Sequence, residues 1–266
     1  MKQMEQLLAK YEKLFDLTGS TALVAGGAGG IGQAVSEGFA AYGCTVVLTS
    51  RTAEKAEKIA GRIRDAGGKA YGVALSADSM EAVRRTVEGV RADQGRIDIL
   101  VNCIGSHIEA PAEDYREEDW DKIFNGSVKT AFFLSQAVAK GQIGHGGGRH
   151  IHVSSVRSQL GLQGRGYVSY CSSRGAMNMM IRQLASEWAK HHINVNGIAP
   201  TFTRTDLVAK YLNDPAFYNP LIARIPLGRV ADPIDLAGLA IYLAAPASSF
   251  ITGQIVFADG GVTACQ

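Results

Sequence analysis

Short apolar runs alternate along most of the chain with longer segments in which hydrophobic residues recur at helical spacing. The short runs are rich in Val, Ile, Leu and Thr, which is typical of buried strands. They predict strands over residues 21–25, 45–49, 70–74, 97–102, 150–154, 194–198 and 254–258. The periodic segments predict helices over residues 31–42, 53–66, 80–94, 117–142, 168–191 and 233–244.

Strands that alternate with helices in this way predict an α/β fold with a doubly wound, seven-stranded parallel sheet and helices on both faces. We expect residues 15–266 to form one domain, preceded by a helical extension over residues 1–14. Residues 203–229 interrupt the alternation and carry several aromatic side chains between prolines. They are interpreted either as a mobile lid or as a surface segment that packs against another subunit.

The composition favours a soluble protein that acts on small molecules. The net charge is +2 and the lysines and arginines form no long basic stripe, which argues against a nucleic-acid partner. The 4 cysteines are scattered without a C-x-x-C pair, so neither a disulfide framework nor a zinc site is expected. We see no signal peptide and no apolar stretch of spanning length, and we expect a cytoplasmic protein without a membrane partner.

A glycine-rich turn follows the first predicted strand and leads directly into a helix. It reads Gly26-Gly27-Ala28-Gly29-Gly30-Ile31-Gly32, and we expect Gly26, Gly29, Gly30, Ile31 and Gly32 to contact a dinucleotide. Gly26 permits the tight turn, Gly30 lets backbone approach a pyrophosphate, and Gly32 allows close helix packing. The helix N-terminus attracts the anion. The alternative is a structural turn without a ligand.

The end of the second predicted strand bears on the choice of cofactor. An acid that would bind the ribose hydroxyls is absent, and Ser50-Arg51 stands in its place. A guanidinium suits a 2′-phosphate, so NADP(H) is preferred and NAD(H) is possible. The alternative is a solvated Arg51. An acid is also missing after the third strand, where Ala74-Leu75-Ser76 stands and only Asp78 lies near.

A tyrosine and an arginine one helical turn apart, Tyr170 and Arg174, indicate proton transfer. A phenol ionises near ~10 in water, so it needs a nearby cation to act as acid or base at neutral pH. His107 and Gln159 follow strand ends and are candidate substrate contacts. His150 and His152 lie on one face of a strand without a third ligand, so no metal site is expected.

From about residue 15 to 261 the chain resembles the short-chain dehydrogenase/reductase family. The glycine turn matches its first fingerprint, residues 102–105 are similar to its N-N-A-G motif, and residues 196–205 resemble its N-x-x-x-P-G-x-x-x-T motif. The resemblance is greatest to gluconate 5-dehydrogenase-like and 3-oxoacyl-acyl-carrier-protein reductase-like members. It implies a Rossmann fold, an NAD(P)-dependent oxidoreductase that interconverts a secondary alcohol and a ketone, and a homotetramer.

The resemblance also implies residue roles. Ser155 and Tyr170 match the serine and tyrosine of the catalytic tetrad, but Ser127 stands at the asparagine position and Arg174 at the lysine position. The spacing leaves open whether Ser154 or Ser155 is the serine. Ser155 and Tyr170 would contact substrate. The remaining cofactor contacts implied are Asn102, Gly105, Pro200, Thr201 and Thr205, together with Tyr170 and Arg174.

The altered tetrad leaves more than one function open. We expect an oxidoreductase in which Tyr170 is the acid or base and Ser155 stabilises the alkoxide. The similarity to gluconate 5-dehydrogenase-like members favours a polyol or sugar acid, and Arg157 and Arg165 could receive an anionic substrate. The alternatives are a catalytically impaired NADP(H)-binding protein or sensor, and a scaffold that binds no cofactor.

Overall fold

The computed structural model describes residues 2–77, 79–206 and 208–265. Its seven strands are all parallel, in the spatial order β3-β2-β1-β4-β5-β6-β7. This confirms the predicted doubly wound α/β fold. The strands are β1 Thr21–Ala25, β2 Thr45–Ser50, β3 Lys69–Ala74, β4 Ile99–Asn102, β5 Gly148–Val153, β6 Ile193–Pro200 and β7 Ile255–Ala258.

Helices connect the strands and extend the chain at its N-terminal end. Several begin at residues that suit a helix start: Ser79 Oγ accepts a hydrogen bond from the Ala82 amide, and Asp232 and Asp235 form a capping box around Pro233. The helices are α1 Lys2–Glu12, α2 Gly30–Ala41, α3 Ala53–Asp65, α4 Met80–Gln94, α5 Glu117–Phe124, α6 Thr130–Gln142, α7 Val168–Trp188, α8 Ala209–Leu212, α9 Pro215–Ile222 and α10 Pro233–Ala244.

The side chains of β1 show how the sheet is covered on both faces. Ala22 and Val24 belong to a buried cluster with residues of α2, α3 and α10, whereas Leu23 and Ala25 belong to another with residues of α4 and α6. Alternate strand residues point to opposite faces, so these four residues of the central strand meet a helical layer on one face or the other. A third cluster packs α7 and α6 against β6.

The strand order places a crevice at the carboxyl ends of β1 and β4. The chain leaves β1 to run through β2 and β3 on one side, and β4 then pairs with β1 on the other side. The two strands therefore feed connections that diverge, which leaves an opening between them at the edge where ligands bind in doubly wound sheets.

Residues 203–229 contain α8 and α9 and share a small core with residues on either side of the segment. Leu212, Ile225 and Val230 are buried there, and Thr203 forms an isolated parallel bridge with Ala231. The Asp214 carboxylate accepts a hydrogen bond from the Ala216 amide and Pro215 begins α9, which explains the helix in this proline-containing stretch. The segment is thus packed structure, with the described part of its chain folded beside the carboxyl ends of the strands.

Two buried histidines occupy the middle of the sheet on β5. His150 Nε2 lies 2.9 Å from Gln142 Oε1 and its ring packs edge-on against Trp188, while His152 Nε2 lies 3.2 Å from Ser135 Oγ. Burial lowers the pKa of His150 to about 3 and that of His152 to about 4. Both imidazoles therefore stay neutral in the folded protein at pH 7.

We predict an acid-labile fold on this basis. Between pH 6.5 and about 4 the unfolded chain protonates these two histidines and the folded chain does not, so stability present above pH 6.5 is lost as pH falls. From pH 7.5 to 5 the two together remove about 4 kcal/mol from the free energy of unfolding, at about 1.4 kcal/mol per unit each. Urea denaturation across this range measures the slope.

The variant His152→Gln should remove about half of that slope, whatever its effect on stability at pH 7.5. Exposed His145 supplies the matched control, since His145→Gln removes a histidine that water already surrounds. An identical slope in the parent and in His152→Gln would contradict the prediction.

Candidate active site

The glycine turn occupies the opening beyond β1 and brings backbone close to backbone. Gly26 has a φ of 77°, which favours glycine, and a Cβ there would lie 3.3 Å from the Cys103 carbonyl carbon at the end of β4. A Cβ on Gly32 would overlap the Gly26 carbonyl oxygen. These two positions hold the turn against β4 and against the first turn of α2.

Gly29 and Gly30 differ in what surrounds them. Gly29 is the N-cap residue of α2, and a Cβ there would make only ordinary contact. A Cβ on Gly30 would lie 2.5 Å from Thr205 Cγ2. We expected Gly30 to be glycine so that backbone could approach a pyrophosphate. In the structure the side chain of Thr205 already occupies that space, which brings two predicted cofactor contacts together at the start of α2.

The polar end of β2 lies beside this turn. Thr49 Oγ1 accepts a hydrogen bond from the Gly26 amide, which ties β2 to the turn. Ser50 is half-buried and Arg51 is exposed, and the Arg51 side chain forms no hydrogen bond or ion pair with the described part of the chain. Its charge is therefore available at the position where we expected a 2′-phosphate. Asp78 lies outside the described residues.

Arg174 is buried at the end of β4 and β5, with 6% of its surface exposed. Its Nη1 donates a hydrogen bond of 3.1 Å to the Val153 carbonyl, and its guanidinium carbon lies 4.9 Å from the centre of the Tyr170 ring. A Cβ on Gly105 would overlap Arg174 Nη2, so the missing side chain of Gly105 makes the room for the guanidinium. The structure therefore brings Gly105, Tyr170 and Arg174 together.

Ser127 lies in a π-helical segment, Asn125–Lys129, that separates α5 from α6. We predicted one helix over residues 117–142, and the helical stretch begins and ends at those residues, but this π segment divides it into α5 and α6. Single π turns inside helices frequently mark functional sites because they redirect one side chain. Ser127 is buried and its Oγ has no hydrogen-bond partner within the described residues, a state it shares with Asn102 Nδ2 and Arg174 Nε. Such groups suit a bound water or ligand.

Ser154 and Ser155 have different surroundings. Ser154 Oγ donates a buried hydrogen bond of 2.6 Å to Asn178 Oδ1 in α7, so it joins β5 to that helix. Ser155 begins a 3₁₀ turn, Val156–Ser158, and its Oγ accepts a hydrogen bond of 3.1 Å from the Arg157 amide. The proton of Ser155 Oγ has no acceptor within the described residues. The geometry therefore favours Ser155 as the serine that can donate to a ligand.

Two aromatic rings pack near the ring of Tyr170. The His107 ring lies 5.2 Å from that of Tyr170 and 4.2 Å from that of Tyr167, both edge-on. Burial lowers the pKa of His107, so the ring is neutral at pH 7. Gln159 is exposed, and its side chain makes no hydrogen bond to the described residues. His107 thus lies beside Tyr170, whereas no side-chain hydrogen bond within the described residues ties Gln159 to that region.

Arg165 connects this region to the segment over residues 203–229. It forms an ion pair with Glu109, with Nε 2.5 Å from Oε1, and its guanidinium carbon lies 5.6–5.9 Å from the rings of Tyr167, Tyr211 and Phe217. Glu109 was not singled out from the sequence, because nothing in the spacing links it to a residue 56 positions away.

The described residues contain neither a metal-binding cluster nor a membrane-spanning helix. Within residues 2–77, 79–206 and 208–265 there is no group of three His, Cys, Asp or Glu side chains arranged to hold a metal. All four cysteines are free. Among the same residues, no helix combines the length and the apolar character needed to cross a bilayer.

Comparison with known proteins accounts for this arrangement. A family sequence model described as Enoyl-(Acyl carrier protein) reductase matches residues 26–263, and solved structures of short-chain type dehydrogenase/reductases superpose on the chain. The chain belongs to the short-chain dehydrogenase/reductase family. It is accordingly an NAD(P)-dependent oxidoreductase of hydroxy or keto compounds.

Two curated members of the family match almost the whole chain. Gluconate 5-dehydrogenase of Gluconobacter oxydans is 35% identical over 250 residues, which cover 94% of this chain and 97% of that protein. D-threitol dehydrogenase of Mycolicibacterium smegmatis is 34% identical over 263 residues, 99% of each. A gluconate 5-dehydrogenase from Burkholderia cenocepacia, crystallised with NADP and tartrate, has a TM-score of 0.91 at 35% identity and covers 96% of this chain and 99% of its own.

The fit between Gly105 and Arg174 yields a prediction for this dehydrogenase. Gly105→Ala forces the guanidinium away from its present place and should lower the free energy of unfolding by about 1–3 kcal/mol, the usual cost of overpacking. In the background of Arg174→Lys, whose side chain has no planar head, the same change should cost less than about 1 kcal/mol. Denaturation of the four proteins of this double-mutant cycle measures the coupling. Equal costs in both backgrounds would show that Arg174 does not need the space.

Proposed function

We propose that this protein is an NADP(H)-dependent dehydrogenase that interconverts a secondary alcohol and a ketone, with Tyr170 as the acid or base. The observation that carries the proposal is the contact between Tyr170 and the buried guanidinium of Arg174 beside the crevice between β1 and β4. A phenol next to a fixed cation, at the edge where a dinucleotide binds, is suited to proton transfer during hydride exchange.

Each side chain of the site has a distinct role in the proposed reaction. In reduction, the Tyr170 hydroxyl gives its proton to the substrate carbonyl oxygen, and the cation of Arg174 stabilises the phenolate that remains. Ser155 Oγ donates a hydrogen bond to the same oxygen as negative charge develops on it. Arg174 stays protonated throughout, so the proton that restores Tyr170 comes from solvent and not from Arg174. The bound nicotinamide supplies or accepts the hydride.

Ser127 completes this proposal at the position where the family resemblance implies an asparagine. Its buried Oγ and Arg174 Nε both lack a partner within the described residues. A hydroxyl can hold a water as donor and as acceptor, so Ser127 is suited to a bound water near the site, although it reaches less far than asparagine. This would be one route by which Tyr170 exchanges its proton with solvent.

The residues present fit a dinucleotide phosphate. Gly26, Gly29, Gly30, Ile31 and Gly32 form the turn at the start of α2, and Thr205 lies against Gly30. Ser50 and Arg51 would hold the 2′-phosphate, and Asn102, Gly105, Pro200, Thr201, Tyr170 and Arg174 would surround the nicotinamide half. NADP in a similar gluconate 5-dehydrogenase supports NADP(H) over NAD(H).

Three further features belong to the proposal. A polyol or sugar acid is the favoured substrate, since similar proteins carry the names gluconate 5-dehydrogenase and D-threitol dehydrogenase.

The sheet, both helical layers and the lid fall within residues 15–266, which supports one catalytic domain after the N-terminal extension. Exposed apolar side chains such as Met179 and Phe250 suit subunit contacts in a homotetramer, and four free cysteines suit the cytoplasm.

The catalytic assignment predicts a division of effects among three variants. With NADPH and 5-keto-D-gluconate, Tyr170→Phe should lower kcat at least ~100-fold and Ser155→Ala roughly 100-fold, both with little change in stability. Ser154→Ala should keep kcat near that of the parent but lose about 1–3 kcal/mol of unfolding free energy, because it leaves the Asn178 amide oxygen unpaired. Steady-state kinetics and urea denaturation of the same samples measure both effects.

A protein that binds NADP(H) without turnover is the second candidate. The shorter reach of Ser127 compared with asparagine and the hydrogen bond that holds Arg174 at the Val153 carbonyl favour it, because either one can interrupt the path of the proton to solvent. If the parent oxidises NADPH no faster than Tyr170→Phe across a panel of ketones, yet NADPH raises its Tm, this second function replaces the first.

The cofactor assignment predicts a change of preference. Arg51→Gln should lower kcat/KM for NADPH roughly 10- to 100-fold, because a charge-assisted bond to the 2′-phosphate is lost, and should leave kcat/KM for NADH nearly unchanged. Arg84→Gln removes an exposed arginine from α4 and serves as the matched control. A parallel loss with both cofactors would assign Arg51 a structural role.

A further inference from the structure

Arg157 is a half-buried cation that has no counter-ion within the described part of the chain. Its Nη1 donates hydrogen bonds to the carbonyls of Gly161, at 2.6 Å, and of Leu160, at 3.4 Å. Within the described residues no carboxylate pairs with it, and its Nε and Nη2 make no hydrogen bond. A cation taken partly out of water without a partner is costly, and a protein normally pairs it or uses it to bind an anion.

The location of Arg157 connects it to the proposed chemistry. It lies two residues after Ser155 in the same 3₁₀ turn, and its own amide donates to Ser155 Oγ. Burial lowers the pKa of Arg157, the groups that oppose this shift are Cys171, Tyr167 and Tyr170, and Arg224 lowers the pKa further. Arg157 is therefore close enough to Tyr170 and to a second arginine for their charges to interact.

Arg224 comes from the segment over residues 203–229, just after α9. It is exposed, and within the described residues it has no ion pair. The charges of two guanidinium groups from different parts of the chain thus interact near Tyr170, and neither group is paired with a carboxylate within the described residues. Like charges repel, so the proximity of the two arginines raises the free energy of the ligand-free protein. This cost falls when an anion binds beside them.

Arg165 contrasts with Arg157 although both were candidates from the sequence. The Glu109 carboxylate neutralises Arg165, and three aromatic rings surround its guanidinium. The charge of Arg165 is therefore already balanced within the protein, and its contacts serve to hold Tyr211 and Phe217. This difference separates the two arginines by role.

We propose that Arg157, assisted by Arg224, forms a carboxylate-binding subsite that makes the enzyme prefer hydroxy acids and keto acids over neutral polyols. The inference rests on the proposed function, because the carboxylate is that of the substrate whose alcohol or ketone carbon lies at Tyr170. Nη1 of Arg157 is fixed by the two carbonyls, which leaves the rest of the guanidinium positioned for charge-assisted bonds. Arg224 reaches the same carboxylate from the lid.

A matched pair of substrates tests the subsite. D-gluconate and D-glucitol differ by a carboxylate in place of a CH₂OH group, and their kcat/KM values with NADP⁺ are measured for the parent and for variants. Arg157→Gln should lower kcat/KM for D-gluconate roughly 10- to 100-fold and change that for D-glucitol far less. Arg157→Lys, which keeps the charge, should retain most of the preference for the acid. Arg224→Gln should show a smaller loss in the same direction.

The control variant is Arg182→Gln, which removes an exposed arginine from α7 outside the site. It should leave both kcat/KM values unchanged. Equal losses for the two substrates in Arg157→Gln would overturn the proposal, because they would mean that Arg157 only supports the loop at Leu160 and Gly161. A parent enzyme that prefers D-glucitol would overturn it as well.

A binding measurement separates this proposal from the proposed function. Calorimetric titration of D-gluconate into the NADP⁺-loaded Tyr170→Phe protein needs no turnover, and adding Arg157→Gln should weaken binding at least ~10-fold. If no substrate is turned over but this loss is seen, the catalytic proposal fails and the subsite stands. If turnover occurs and Arg157→Gln leaves binding unchanged, the subsite alone fails. Absence of saturable D-gluconate binding to the Arg157 protein also overturns the subsite.

Discussion

The buried guanidinium of Arg174 is the constraint on which the site depends. It meets the end of β4 at Gly105, the end of β5 at the Val153 carbonyl, and α7 at the Tyr170 ring. A cation buried to this degree is costly unless it is hydrogen-bonded, and the carbonyl and the ring provide part of that stabilisation. The same contacts fix the charge beside the phenol. Packing of the sheet edge and electrostatics of the site therefore rest on one side chain.

The fold was predictable because its signals are local and repeated. The apolar run of β1 and the glycine turn after it depend on neighbouring residues, and parallel pairing follows from the alternation of strands with helices. The prediction of local detail was less accurate, because a short irregular segment leaves little trace in the hydrophobic pattern. The π-helical segment at Ser127 divides a stretch whose periodicity reads as one helix, because a single added residue in one turn scarcely changes the pattern.

The identity of the candidate site residues was easier to predict than the hydrogen bonds and ion pairs that each of them makes. Tyr170, Arg174 and the glycines of the turn have fixed spacings, so the sequence alone points to them. The partner of Ser154 is Asn178, and that of Arg165 is Glu109, and each pair is joined by tertiary folding alone. For this reason the spacing left the choice between Ser154 and Ser155 open, although the resemblance favoured Ser155, and the sequence left Arg157 and Arg165 equivalent. Hydrogen bonds and ion pairs distinguish the members of both pairs.

Thr205 links the glycine turn at Gly30 to the segment over residues 203–229. It lies against the first residue of α2 and also belongs to the segment whose aromatic rings contact Arg165. A nucleotide that shifts Thr205 on entering the turn would also move this segment, whose rings lie beside Arg165. The affinities for the two ligands would then depend on each other, and by thermodynamic linkage the substrate would change nucleotide affinity by the same factor as the nucleotide changes that of the substrate.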